Sequence, residues 1–598
     1  MTGASPALAL VAALVFVSGC SSHSTTTSSA DSVPLSKPLR AQPGSVSMSP
    51  APGSRTASPD TQISLRGADL ENATLTVTGS TSGVHSGTYR RHSDDAGMSF
   101  IPDKPFIAGE TVAVQSPLPI YGSSNDMVSF TVATPAVETT PPKSQNAGAP
   151  SPPPPTTEHF ATVPTIHPPQ VTITTSTDPD PGYVLLTPKG GGQPSALEIV
   201  DTSGQVVWYQ PAPAGKALND LQLQSLHGQP VLTYWQGRQN SDHGYGDGDV
   251  VVLDSSYHVV QQVHAGNGYQ VDLHDLQIVG DSAWFTVYTP IRWDLRPVGG
   301  PANGIVLDGV VQQVDLATGL VEFEWHSLDH VPLSESIVHP PHDTTTAWDY
   351  VHLNSVDVHS DQVLVSARHT SAVYDVDAVT GDLTWTLGGN HSDYRLPANA
   401  TFAFQHDARE QADGTVTVFD DGGGPPRVEK ASRALRLELD TASHTATVLS
   451  SESHTPDIVA SSQGNVQQLD RGHTFVGWGS ASNITEYDGS GHVVWDARLA
   501  SGITSYRAYR VTWVGKPSTA PTITTSAAGG ATQVSVSWNG DTRTASWRVV
   551  ARSGAGTVTQ RTIVRTGYET RLTLPGHPVT VTVTALDSHH HALATRTS

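Results

Sequence analysis

Thr401-Phe-Ala-Phe-Gln-His-Asp-Ala-Arg409 places one histidine, His406, at the threshold of a β-strand. The same register recurs in Leu218-Asn219-Asp-Leu-Gln-Leu, Leu273-His274-Asp-Leu-Gln-Ile and Val351-His352-Leu-Asn-Ser-Val. It continues in Gly464-Asn465-Val-Gln-Gln-Leu and, more loosely, in Tyr506-Arg507-Ala-Tyr-Arg-Val. Each copy is followed by a turn and a second strand. A second unit alternates with it: a strand, a turn opened by Asp, and a strand often ending in Trp. Ala196 to Asp201 with Gly204 to Trp208, Val373 to Asp377 with Trp385, and Ile484 to Asp488 with Trp495 are examples. Asp and Gly supply the hairpin turns, and Trp suits packing between neighbouring sheets.

One hairpin of each kind makes a four-stranded antiparallel blade, and repeats of this length predict a β-propeller. Five complete blades begin near Asn219, His274, His352, His406 and Asn465. The strands left over are one after Arg507 and three between Gly182 and Tyr209. Together they make a sixth blade, closed by both ends of the region, which removes exposed sheet edges.

Outward from this centre the composition changes. Residues 61–134 alternate as a small β-sandwich, for example Gln62-Ile-Ser-Leu-Arg and Thr111-Val-Ala-Val. Residues 135–164 form a Pro-rich linker and 165–517 the propeller. Residues 518–598 carry a fibronectin- or Ig-like sandwich pattern, including Gln533-Val-Ser-Val-Ser-Trp. The fold class is thus all-β, a six-bladed β-propeller flanked by two small β-sandwiches. Residues 21–60, rich in Ser, Thr and Pro, predict a disordered tether. The apolar run Leu8 to Val17 leads into Val17-Ser-Gly-Cys20, which resembles a lipoprotein signal peptide over residues 1–20. Cys20 is the only cysteine, so no intrachain disulfide exists, and it is the expected lipidation site. That places the chain outside the cell, anchored by lipid at the outer face of the cytoplasmic membrane. A net charge of −23 argues against nucleic acid or an anionic membrane surface as partner.

First strands of blades line a propeller's channel. Asn219, His274, His352, His406, Asn465 and Arg507 would then sit at one height around it. No acid occupies this ring, and strict alternation turns Asp275 and Asp407 away from the neighbouring histidines. Asn354, two residues after His352, faces the same side, and Arg368 ends the second strand of the His352 blade. A ring with an arginine beside it suits an anion. Two other readings exist for such a ring: ordered water on polar walls, or a three-histidine metal site, which the arginine and the lack of acids disfavour.

The central region resembles the bacterial arylsulfotransferase family, whose members move a sulfuryl group between phenols without a nucleotide sulfate donor. The resemblance lies in Asp349-Tyr-Val-His352-Leu-Asn-Ser-Val, Leu364-Val-Ser-Ala-Arg368-His-Thr-Ser-Ala-Val-Tyr and Trp385-Thr-Leu-Gly-Gly. It continues in Phe404-Gln-His406-Asp-Ala-Arg, Val418-Phe-Asp-Asp-Gly, Ser461-Ser-Gln-Gly-Asn-Val-Gln-Gln-Leu and Ser505-Tyr-Arg-Ala-Tyr-Arg. It implies a six-bladed propeller and no cofactor or metal. It implies that His406 is the transiently sulfurylated nucleophile, that His352 and Arg368 hold the sulfuryl oxygens, and that His274 joins the pocket. Asn354, Asn219, Asn465 and Arg507 are the expected substrate-binding residues, and a phenolic sulfate and a phenol the expected partners. The competing functions are a non-catalytic propeller that binds aromatic or glycan ligands, and an aryl sulfatase with water as acceptor.

Overall fold

The computed structural model describes residues 46–68, 70, 73–123, 127–140 and 155–598. The signal peptide and Cys20 lie outside them, as do residues 21–45 of the expected tether and 141–154 of the linker. Among the described residues no helix is long and apolar enough to cross a membrane. The architecture is nearly all-β and almost wholly antiparallel.

Six sheets make up the centre. The first runs Ala217–Leu226, Gln229–Gln239, Gly246–Leu253, Val259–Val263, and the second Leu276–Val279, Ser282–Trp293, Gly304–Asp315, Val321–His326. The third is Leu353–His359, Gln362–Ala367, Ala372–Asp377, Leu383–Gly388, and the fourth His406–Glu410, Val416–Asp420, Arg433–Asp440, Thr445–Glu452. The fifth holds Asn465–Gln468, Thr474–Gly477, Asn483–Tyr487 and Val493–Leu499. In the sixth, Ile503–Val511 pairs with Tyr183–Gly190, followed outward by Ala196–Asp201 and Val206–Pro211. A strand that the hairpin pattern does not announce, Val171–Ser176, adds to the outer edge of the fifth sheet through Val493–Leu499.

Each first strand lies beside the first strand of the next sheet, and the sixth returns to the first. Every junction around this ring has its own apolar core. Val250 and Val287 share one between the first two sheets, and Val311 and Val365 share the next. Leu364 with Val418, Phe419 with Val476, Phe475 with Val184, and Leu185 with Leu232 complete the round. These β-branched, leucine and aromatic side chains alternate along the strands, and each one fully buried contributes roughly 1.5–3 kcal/mol. The strand-ending tryptophans Trp325 and Trp495 are fully buried, and Trp495 Nε1 donates to Thr202 O across the fifth-to-sixth junction (2.8 Å).

The first expected module contains two four-stranded sheets around one apolar core that includes Leu65, Val77, Phe100, Val112 and Phe130. It begins earlier than the alternation at Gln62 suggests. Ser47–Ser49 pairs with Ile63–Arg66, and Val46, Met48 and Ala57 are buried in the core, so 46–60 is part of the module rather than tether. Few large apolar residues are needed there because one short edge strand suffices. The described parts of the linker are also packed. Ala136 is buried against the second sheet, and Phe160, Val163 and Ile166 cover Tyr209 and Tyr568. At the other end, a three-stranded and a four-stranded sheet enclose Val534, Trp538, Trp547, Val549 and Val583.

Candidate active site

The polar ring expected on the first strands divides into two levels because those strands do not alternate regularly. Pairing slips between Asn219 and Gln222, between Leu353 and Ser355, and between His406 and Arg409. At these bulges Asp220 (φ 55°), His352 (φ 51°) and Asp407 (φ 53°) adopt left-handed backbone, which side chains rarely take without support. Arg368 N–H donates to His352 O (2.8 Å), which secures that residue. The bulges cancel the period-two rule at Asp220 and Asp407, and these two acids meet Arg507 together with Asp275, which stands just before the strand Leu276–Val279.

Arg507 is buried and belongs to the lower level. Its Nη1 lies 2.8 Å from Asp275 and 3.3 Å from Asp220, its Nε 3.4 Å from Asp407, and its Nη2 donates to Asn354 O (2.9 Å). Arg409 binds Asp275 from the other side (2.7 Å). The three asparagines are ties between sheets. Asn219 Nδ2 donates to Leu273 O (3.0 Å), Asn354 Nδ2 to Gln405 O (2.7 Å) and Asn465 Nδ2 to Ala508 O (2.8 Å). Arg507, Asn219, Asn354 and Asn465, expected to bind substrate, therefore do not line the cavity above them. Their periodicity is that of the ring's own seams.

That cavity, of about 460 Å³, is lined by His274, His352, Arg368 and His406 together with Lys189, Tyr506, Gln463, His369 and Trp348. His274 and His352 meet edge to face with ring centres 4.9 Å apart, and His352 and His369 are 4.8 Å apart. Gly244 (φ 82°) lets the turn after Gln239 pass close over His352. The next wall residue back, His243, is held at 3.0 Å by Glu138, which also accepts from Ala347 N (2.9 Å). The linker thus braces the rim.

Each of the three ring histidines is backed by a carboxylate from outside the register. Asp272 Oδ2 meets His274 Nδ1 (2.6 Å), Asp349 Oδ2 meets His352 Nδ1 (2.5 Å), and Asp421 Oδ2 meets His406 Nδ1 (2.7 Å). A carboxylate accepts, so each Nδ1 carries hydrogen and each Nε2 is left as the reactive nitrogen. At His406 this assignment has a second support, since Gln463 N–H donates to Nε2 (3.2 Å). Burial holds His406 well below the ordinary imidazole range, with the Arg368 cation the next cause, so the ring is neutral. Burial also lowers His352, against the pull of Asp349, and pushes Asp421 up, against the pull of Arg368.

Arg368 has no carboxylate within 4.0 Å among the described residues. Its Nη2 donates to Ser461 O (3.1 Å), its guanidinium stacks over Phe404 (5.0 Å), and its Nε has no partner. Nη1 donates to His369 Nε2 (2.7 Å), and His369 Nδ1–H in turn donates to Asp349 O (2.6 Å). Burial pushes His369 down to about 3, which keeps it a neutral acceptor for the arginine. Ligand atoms of Asp349, His352 and His369 do lie within 4.8 Å of one another. Their Nδ1 hydrogens and the His369 Nε2 lone pair are already committed, and the adjacent guanidinium opposes a cation. The arrangement is that of an anion clamp beside a neutral, oriented imidazole.

The backing carboxylates, His369, Gln463 and Lys189 are functional neighbours that sequence reading misses. Asp272, Asp349 and Asp421 stand two before, three before and fifteen after their histidines, so no common spacing marks them. His369 alone carried a signal, its place directly after Arg368.

Comparison with known proteins gives one family. No curated protein matches the chain. Among solved structures, a protein of unknown function from Bacteroides caccae is 13% identical over 56% of this chain and 100% of its own (TM-score 0.33). The Dos1 propeller is 12% identical over 63% and 79% (TM-score 0.28), and streptogramin B lyase 7% over 60% and 87% (TM-score 0.25). Likenesses this remote say nothing about chemistry. The family model described as Arylsulfotransferase (ASST) matches residues 222–500, which contain His274, His352, Arg368 and His406, so this part of the chain is similar to the arylsulfotransferase family.

Proposed function

We propose that the protein is an aryl sulfotransferase, built on a six-bladed β-propeller with a small β-sandwich on either side, that passes a sulfuryl group from a phenolic sulfate ester to a phenol through sulfurylated His406. The observation that carries this reading is the pairing of a neutral His406, its Nδ1–H spent on Asp421, with an Arg368 that has no acid partner in the same cavity. In the first half-reaction the Nε2 lone pair attacks sulfur and the aryl oxygen leaves with the electrons of the S–O bond. The positive charge that forms on the imidazole is met by Asp421. Arg368 holds sulfuryl oxygens with its free donors. His352 joins it when the sulfate charge draws a proton onto Nε2, with Asp349 behind the ring. Gln463 N–H, released from Nε2, lies next to the new sulfuryl group. A phenol oxygen then attacks sulfur, the N–S electron pair returns to Nε2, the phenolic proton passes to a base in the cavity, and the cycle closes. Phenolates leave far more readily than alkoxides, so aryl esters are the donors.

The test is a single experiment with a chromogenic aryl sulfate. Donor alone should release at most about one phenol per site, and added phenol should restore continuous turnover with parallel kinetic lines. Mass analysis after alkaline quench should place the sulfuryl group on the peptide containing Phe404 to Arg409. Continuous release without acceptor indicates a sulfatase, and no release a binding protein. On this reading the enzyme is exported and lipid-anchored through Cys20, and Cys20→Ser should free it from the membrane fraction.

A further inference from the structure

Lys189 is outside the segment that matches the family, on the second strand of the sixth sheet, one residue before that strand ends at Gly190. Arg368 follows the second strand of the third sheet, Gln362–Ala367. In a ring of six the third and sixth sheets stand opposite one another. Arg368 and Lys189 therefore face the same cavity from opposed walls, with His406 on the fourth sheet beside the arginine. Between His274 and Lys189 stands Tyr506, its ring 5.8 Å from His274 and 5.5 Å from Lys189 Nζ.

The ammonium is poorly partnered. It donates to Asn219 Oδ1 at 3.4 Å, and Asn219 is itself fixed by its bond to Leu273 O. No carboxylate lies within 4.0 Å of it among the described residues. The cavity thus has two cations with no carboxylate in contact among the described residues, one on each side. Its histidines cannot play the same part at rest, because His274 and His352 spend their Nδ1–H on Asp272 and Asp349 and present acceptors. Burial draws Lys189 down to about 8, against the pull of Asp220, which makes it a stronger acid toward a departing phenolate than an ordinary lysine.

We propose that Lys189 is a further catalytic residue, which binds the aryl oxygen and carries the proton of both half-reactions. This rests on the sulfotransfer reading above. When His406 Nε2 bonds to sulfur and the S–O bond breaks, the electron pair goes to the aryl oxygen. Lys189 donates a proton to that oxygen, giving phenol and a neutral amine. The acceptor phenol then returns a proton to the amine as its oxygen attacks sulfur, and the N–S pair returns to Nε2. An in-line displacement needs attacking and departing atoms on opposite sides of sulfur, and Lys189, two sheets on from His406, reaches the cavity from a different wall.

Lys189→Met, compared with the wild type on two donors in single turnovers, tests the assignment. With 4-nitrophenyl sulfate, whose phenolate leaves unaided, the variant should lose less than about tenfold. With phenyl sulfate, whose leaving group needs the proton, it should lose about 10²-fold or more. Lys189→Arg keeps the cation and should regain part of the phenyl sulfate loss. Sulfurylation of His406 by the nitrophenyl ester reports that the site remains folded. Equal losses on both donors, or full activity of Lys189→Met on phenyl sulfate, overturn the assignment. Absence of sulfotransfer by the wild type on either donor overturns the proposed function, and this inference with it.

Discussion

Two arginines lie near the axis of the ring, and they live in opposite surroundings. Arg507 is enclosed by Asp220, Asp275 and Asp407, each on a different sheet. Arg368 has a neutral histidine, a backbone carbonyl and an aromatic face, and no carboxylate within 4.0 Å among the described residues. Both are buried, so both were costly to bring out of water. Only the first is repaid within the protein by charge. A guanidinium saturated with carboxylates holds sheets together. One without carboxylates in contact can take its compensation from an anion, as the proposed function requires. Sequence position does not separate the two, since each stands in a motif with the same flavour of polar and aromatic neighbours.

The sharpest way to break this contrast is at His406, the proposed nucleophile beside Arg368. His406→Asn should lower donor turnover by at least about 10⁴-fold and abolish both burst and adduct. Survival of the burst would leave Arg368 without a chemical purpose. Next in size is Arg368→Lys, which keeps charge but loses the planar fork. Removing such preorganised donors should cost about 10²–10³ in turnover, with thermal stability little changed. The reverse pattern is expected at the saturated arginine. Arg507→Met leaves buried Asp220 without its salt bridge, while Asp275 and Asp407 keep Arg409, and should cost about 3–5 kcal/mol in denaturant unfolding. Turnover per folded molecule should fall less than tenfold. A stable but inactive Arg507→Met would move that residue into the catalytic site.

The smallest effect concerns pH. Because burial and Arg368 hold His406 below the ordinary imidazole range, its nucleophilic form persists as pH falls through 6.5. The donor half-reaction should therefore show no acid limb near that value. Arg368→Met removes the second cause and should shift the limb toward higher pH, measured by burst rate between pH 4 and 8. An unshifted limb would assign the depression to burial alone.

The hairpin alternation and its Asp-turn punctuation are physical signals that act over a few residues, so the strands and their grouping in fours were legible. The three histidines were legible for the same reason, as exceptions in a repeated polar slot. The faces were not. Alternation assumes an unbroken pleat, and the bulges at Asp220 and Asp407 reverse it, which sent these acids to Arg507. The asparagines share the histidines' register but serve the seams, since a side-chain amide can donate to the neighbouring sheet and a channel polar slot looks identical in sequence. Asp421 reaches His406 only through the pairing of two strands, and Lys189 comes in across the ring from a strand with no motif. Long-range closure of this kind leaves no local spacing to read.

The sheet that joins Tyr183–Gly190 to Ile503–Val511 has a consequence for when the protein can act. One side of the cavity, Lys189, emerges early from the ribosome, and another, Tyr506, more than three hundred residues later. Contacts so distant in sequence form slowly and late. Until the last strand docks, the ring is an open crescent and the reaction vessel has no far wall. Any truncation before Ile503 removes the strand that pairs with Tyr183–Gly190 and, with it, the Tyr506 side of the cavity.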